Sequence, residues 1–184
     1  LELDALRDDF SVEGFELEVQ HEINGQTIRL YIDRVDRLPD GRLAIIDYKT
    51  GRVDPQKWVG DRPEDPQLPL YAVSSDEIPY GVVFAVIRTD ECQFRGVVQG
   101  ENVFPGLPPK RRADNAYLHE AGEQMERTVE EWKQTLQDLM ADFLAGKADI
   151  DPKDGVRTCE KSWCEMHSLC RINELEGASA EKTP

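Results

Sequence analysis

The sequence predicts a mixed α/β (α+β) fold, with a central mixed β-sheet of about five strands flanked by helices. Three observations carry that prediction. Segments with the apolar rhythm of strands are separated by strong turn signals. A proline-free stretch from Ala116 to Leu144 repeats its apolar residues at helical spacing. At 184 residues, the chain has room for one ordinary core and is short for two.

Phe15-Glu16-Leu17-Glu18-Val19-Gln20 alternates apolar with polar, the pattern of a half-buried strand. Asn24-Gly25 follows, the strongest two-residue hairpin signal. The second strand runs from about Gln26 to Leu38 and carries Ile28, Leu30, Tyr31, Ile32 and Val35. After the turn Pro39-Asp40-Gly41, a third strand from Arg42 to Thr50 contains Leu43-Ala44-Ile45-Ile46. Pro55, Pro63 and Pro66, set among charges, mark a loop. Gln67 to Val73 reads as a short helix, its proline tolerated in the first turn. Tyr80 to Arg88 is a buried strand and Gln93 to Gln99 its partner. Pro105, Pro108 and Pro109 then give a loop ending in Lys110-Arg111-Arg112. From Ala116 to Leu144 one long helix is expected, its stripe formed by Leu118, Met125, Val129, Trp132, Leu136, Leu139 and Phe143, with Gly146 as its stop. A single domain is expected over 1–175, followed by a loose tail at 176–184. The first residue is Leu rather than Met, so a fragment of a longer protein is expected.

The formal net charge of −15 argues at first against a nucleic-acid partner. Its distribution weakens that argument, because residues 27–113 hold 13 acids and 13 bases, while 1–26 and 114–151 carry most of the excess acid. Any surface for a polyanion is therefore local. No apolar run is long enough to span a membrane. The four cysteines are too few and too unevenly placed for a disulfide scaffold, so a reducing, cytoplasmic setting is expected.

The two turns also set a register. A two-residue Asn24-Gly25 loop makes Ile23 face Gln26, which puts Glu16 opposite Asp33. A three-residue Pro39-Asp40-Gly41 loop with a bulge makes Leu38 face Arg42, which puts Asp33 opposite Asp47. Lys49, two residues beyond, points the same way as Asp47. Three carboxylates brought together repel unless a cation lies between them, and an all-oxygen set suits Mg²⁺ or Mn²⁺ better than zinc. An Asp-x-Lys pair on a strand is commonly just a solvated face, and Asp33-Arg34 with Asp36-Arg37 could be surface ion pairs. Ile45-Ile46 argue against a solvated face here, because they mark the strand as interior.

Ile32-Asp33-Arg34-Val35-Asp36, then Ile45-Ile46-Asp47-Tyr48-Lys49-Thr50-Gly51, then Gln67-Leu68-Pro69-Leu70-Tyr71 resemble the signatures of the RecB-type nuclease domain of the PD-(D/E)XK superfamily. The resemblance is strong over about residues 14–75 and implies a restriction-endonuclease-like fold over residues 1–175. It implies metal ligation by Asp33, Asp47 and the main-chain carbonyl of Tyr48, with Lys49 as catalytic lysine and Glu16 as an upstream acid. Gln67 and Tyr71 would flank the site and touch metal-bound water or DNA; packing of the helix on the sheet is the simpler alternative. Leu30 stands where relatives commonly have Gly, and in the 14 residues upstream of Phe15 the sole candidates are acids such as Glu13, where relatives carry a helix often with a His or Glu near the metal.

Cys159, Cys164 and Cys170 are spaced C-x4-C-x5-C, whereas the several nucleases of the resembling group that hold an iron–sulfur cluster commonly use C-x2-C-x5-C and one cysteine upstream. A cluster in a full-length protein, a zinc ion shared with His167, and reduced thiols all stay open. Lys110-Arg111-Arg112 is either a solvated loop or a phosphate contact shared with Arg34, Arg52, Lys57 or Arg62. The function expected is a divalent-metal-dependent deoxyribonuclease, an exonuclease domain acting in double-strand-break repair and recombination with a helicase subunit or helicase region. The alternatives are a module that binds DNA ends or a helicase without cutting, and a domain acting on another phosphate ester.

Overall fold

A computed structural model of the chain describes residues 4–89, 92–101, 103–108, 110–162 and 164–170. Its frame is a five-stranded sheet with the strands in sequence order: β1 (Ser11–Ile23), β2 (Gln26–Arg37), β3 (Leu43–Lys49), β4 (Gly81–Ile87) and β5 (Cys92–Val98). Antiparallel pairing throughout this order would make a plain meander, but β3 and β4 are parallel while the other neighbours are antiparallel, so the sheet is mixed as expected. A parallel pair needs a crossover, and residues 50–80 supply it with the helix α1 (Gln67–Val73).

Both turns form as their residues require. Asn24 and Gly25 take φ values of 49° and 77°, the left-handed pair of a type I′ turn, and Ile23 faces Gln26. At the second turn Gly41 sits at φ 87°, its N–H donating to the Leu38 carbonyl at 2.9 Å, while the Leu38 N–H donates to the Arg42 carbonyl at 2.9 Å. The expected registers follow: Phe15 faces Arg34, Leu17 faces Ile32, and Arg34 faces Ile46.

Each face of the sheet carries its own apolar cluster. Val35, Ile45, Val82, Phe84 and Val97 lie with Trp58, α1 and residues of α2 (Ala116–Glu123) and α3 (Met125–Leu144). Ala44, Ile46, Val83, Ala85 and Val98 on the reverse face are covered by Phe104 and Leu107 from the loop after β5, with Phe10 packed alongside. Period-two alternation along β3 decides which residue faces which cluster.

The expected single helix over 116–144 is two helices. Gln124 leaves the helical region at φ −120° and ψ 42°, between α2 and α3. A close approach accompanies the break: a Cβ built on Gly122 would lie 2.0 Å from the Val98 carbonyl oxygen, so α2 rests on β5 at a distance only glycine allows. The Thr128 hydroxyl donates to the Ala121 carbonyl at 3.0 Å and satisfies an acceptor beside the break. Met125, Val129 and Trp132 are buried as the stripe predicts, but Leu139 is 37% exposed and Phe143 76%.

The backbone divides into two compact units, residues 1–141 and 142–184, where the sequence suggests one domain to residue 175. The first holds the sheet; the second contains α4 (Val156–Lys161) and α5 (His167–Cys170). The expected loose tail at 176–184 lies outside the described residues. Among the described residues no helix is long and apolar enough to cross a membrane.

Candidate active site

Asp47 and Lys49 come from the C-terminal end of β3, two residues apart and therefore on one face. Asp47 faces Phe84 across the parallel pair, so its carboxylate points to the helix-covered side, where its side chain is 1% exposed. The Lys49 ammonium lies 2.7 Å from Asp47 Oδ2. Gln67, the first residue of α1, closes the arrangement: its Nε2 donates to Asp47 Oδ1 at 2.8 Å, and its Oε1 accepts from Lys49 Nζ at 2.7 Å. One turn along the helix, the Tyr71 hydroxyl accepts from Gln67 Nε2 at 2.8 Å and donates to the Tyr31 carbonyl of β2 at 2.6 Å. Every polar atom of the Gln67 amide is thus committed. On the β2 side, Asp33 Oδ2 accepts the Tyr48 N–H at 2.8 Å.

The charges are in tension. Burial raises the pKa of the Asp47 carboxyl, Lys49 opposes that rise, and the nearby charges of Asp33 and Asp65 add to it; the net direction is up. Asp47 Oδ2 is buried and, among the described residues, meets the Lys49 charge without an aligned hydrogen bond. An under-satisfied carboxylate oxygen beside a second carboxylate is a donor set that fits a hard divalent cation. Asp33, Asp47 and the adjoining Tyr48 main chain are the groups available to hold one. Burial also raises the Tyr71 phenol, with Gln67 opposing.

Two expected members are placed elsewhere. Glu16 is exposed with φ 47°, and the ladder skips its pairing with Asp33 although 15–34 and 17–32 both pair. The strand turns over at this level: Ile32 and Val35, three residues apart, share one apolar cluster, which even alternation forbids. Glu16 is therefore not gathered with the two aspartates, and among the described residues no three His, Cys, Asp or Glu are grouped to hold a metal.

Arg34, expected at a phosphate, is buried on the reverse face. Its guanidinium bonds Asp36 at 2.6 and 3.0 Å, Asp4 at 3.1 Å and the Tyr48 hydroxyl at 3.0 Å. Arg7 meets the same Asp36 at 2.7 Å and stacks over Phe10 at 4.0 Å and Phe104 at 4.3 Å. Burial disfavours the Arg34 charge, but the bonds to Asp36, Tyr48 and Asp4 outweigh it and raise its pKa. The Arg34–Asp36 pair is thus interior, not a surface pair, and it braces Tyr48 from behind.

Asp65, in the segment before α1, adds its charge at Asp47, and its position two residues before Gln67 is the one signal of this in the sequence. Lys57 pairs with Glu64 at 3.1 Å, and Arg111 approaches Glu123 at 3.8 Å, both at the surface. In the second unit Cys159, Cys164 and Cys170 are not joined in disulfides. The Cys164 N–H donates to the Cys159 carbonyl at 3.0 Å, and burial, then the charges of Cys164 and Cys170, push the Cys159 thiol up. Among the described residues these thiols are neighbours but are not grouped as metal ligands, so their arrangement gives an iron–sulfur or zinc site no support.

A family model described as the PD-(D/E)XK nuclease superfamily matches residues 1–171. No curated protein matches the chain. Among solved structures, one titled "Crystal structure of SSO0001" shares 20% identity over 61% of this chain, with a TM-score of 0.34. The match spans 50% of that chain.

Proposed function

We propose, given that this chain belongs to the PD-(D/E)XK nuclease superfamily, that it is a divalent-metal-dependent nuclease acting on the phosphodiester bonds of DNA. The observation that carries the reading is the closed set of contacts joining Asp47, Lys49 and Gln67, with Asp33 alongside. Residues far apart in sequence are held within hydrogen-bonding distance on one side of the sheet, at the end of a buried strand.

Asp33 and Asp47, with the Tyr48 carbonyl, would hold Mg²⁺ or Mn²⁺. An ion bound there supplies Lewis acidity toward a phosphodiester oxygen. Lys49 carries three N–H donors at the more exposed edge of the same cluster; it orients the attacking water and offsets negative charge as it builds on the phosphoryl oxygens. Gln67 fixes Lys49 and Asp47 relative to one another, and Tyr71 fixes Gln67 to the main chain of β2. Positioning of this kind is where most of the rate of phosphoryl transfer arises.

A finer reading rests on the likeness of the Asp33, Asp47-x-Lys49 and Gln67-x3-Tyr71 signatures to RecB-type domains. It makes the activity exonucleolytic, places it in double-strand-break repair and recombination beside a helicase, and makes the setting cytoplasmic. The test is incubation with linear single- and double-stranded DNA in Mg²⁺, Mn²⁺ or EDTA, beside Asp47→Ala and Lys49→Ala. Metal-dependent cleavage should fall by at least about 10³-fold in both variants, with unchanged circular dichroism. DNA binding with no metal-dependent cleavage would point instead to a non-cutting module.

A further inference from the structure

We propose that Lys49 is the resident counter-cation of Asp47 and must yield Oδ2 when a divalent ion binds, so that loading the site is what releases the lysine toward the phosphate. The inference rests on the metal-dependent reading above and concerns how this chain's own residues set its metal affinity.

Three features support it. The ammonium is 2.7 Å from Asp47 Oδ2, and a second cation on that oxygen would meet the ammonium at repulsive distance, so the two are alternatives. The contact is an ion pair lacking hydrogen-bond alignment, while Oδ1 is held by Gln67 at 2.8 Å. Of the two oxygens, Oδ2 is therefore the one that can change partner. The departing ammonium also has somewhere to go. Its side chain is 32% exposed, against 1% for Asp47, and the Gln67 Oε1 contact at 2.7 Å tethers it as it swings outward. Gln67 in turn is pinned by Tyr71. The lysine thus trades its pairing with Asp47 for a role at the reacting phosphate while keeping its contact with Gln67.

The test measures Mn²⁺ binding to the full chain by titration calorimetry, in wild type, Lys49→Met, Lys49→Arg and Asp47→Ala. Removing a competing cation from a pair with one buried partner should tighten Mn²⁺ binding by about tenfold in Lys49→Met. Lys49→Arg keeps the charge and should stay within about threefold of wild type, and Asp47→Ala should lose the site. Thermal melts supply a second readout. In EDTA Lys49→Met should melt below wild type, and saturating Mn²⁺ should close that gap, because the ion takes over the neutralising role. A lysine of merely structural importance would leave the gap the same in both conditions. Should Lys49→Met prove insoluble, Lys49→Gln serves identically. Unchanged or weaker Mn²⁺ binding in the neutral variant overturns the proposal while leaving the nuclease reading standing. Absence of any Asp47-dependent Mn²⁺ binding in wild type would overturn both.

Discussion

Tyr71→Phe separates a buried brace from a substrate contact. The substitution keeps an aromatic ring that is 5% exposed and removes one oxygen. That oxygen accepts from Gln67 at 2.8 Å and donates to the Tyr31 carbonyl at 2.6 Å. Each bond contributes roughly 1 kcal/mol net, so the loss is about 2 kcal/mol. For a chain of this length roughly 2–4 °C of Tm accompanies each kcal/mol, which predicts a fall of about 4–8 °C. Gln67 also loses the anchor that aims it at Asp47 and Lys49, so kcat for DNA cleavage should fall by about tenfold with KM little changed. The assays are a thermal melt and steady-state cleavage of a labelled duplex. If Tyr71 instead reached DNA, as its motif alone suggests, the variant would melt like wild type and bind DNA more weakly. That pair of results would refute the inward-facing role.

Gly122→Ala should be destabilising although alanine is the better helix former. A methyl 2.0 Å from the Val98 carbonyl oxygen forces α2 off β5, at about 3 kcal/mol against the roughly 1 kcal/mol that helix propensity returns; a denaturant midpoint at or above wild type would contradict it. On the reverse face, burial raises the Asp4 carboxyl, but hydrogen bonds from Arg34 and Arg7 outweigh it and hold its pKa below 3.8. A depressed acid contributes stability above its unfolded pKa and loses it as pH falls through the folded value. Asp4→Asn should therefore melt below wild type at pH 7, and the difference should shrink as pH drops below 3.8; a difference independent of pH would exclude the ion-pair origin.

Local chemistry in the chain determined much of this protein. Asn24-Gly25 and Pro39-Asp40-Gly41 each admit few backbone solutions, so two turns set the pairing of three strands before any packing is known. Two-residue spacing put Asp47 and Lys49 on one face, and four-residue spacing did the same for Gln67 and Tyr71. What those residues touch is a different matter, because a contact across the core depends on the whole fold. Only the folded chain turned Glu16 outward at positive φ, broke the long helix where glycine lets α2 meet β5, and aimed the Tyr71 hydroxyl at β2. Arg34 shows why. Its neighbours in sequence read as a surface charge pattern, yet Arg7, 29 residues from Asp36, completes a network that can be buried only when all its charges meet. Turn chemistry and side-chain period are short-range and legible in a string of letters; burial and charge compensation are sums over distant segments, and tertiary structure alone performs them.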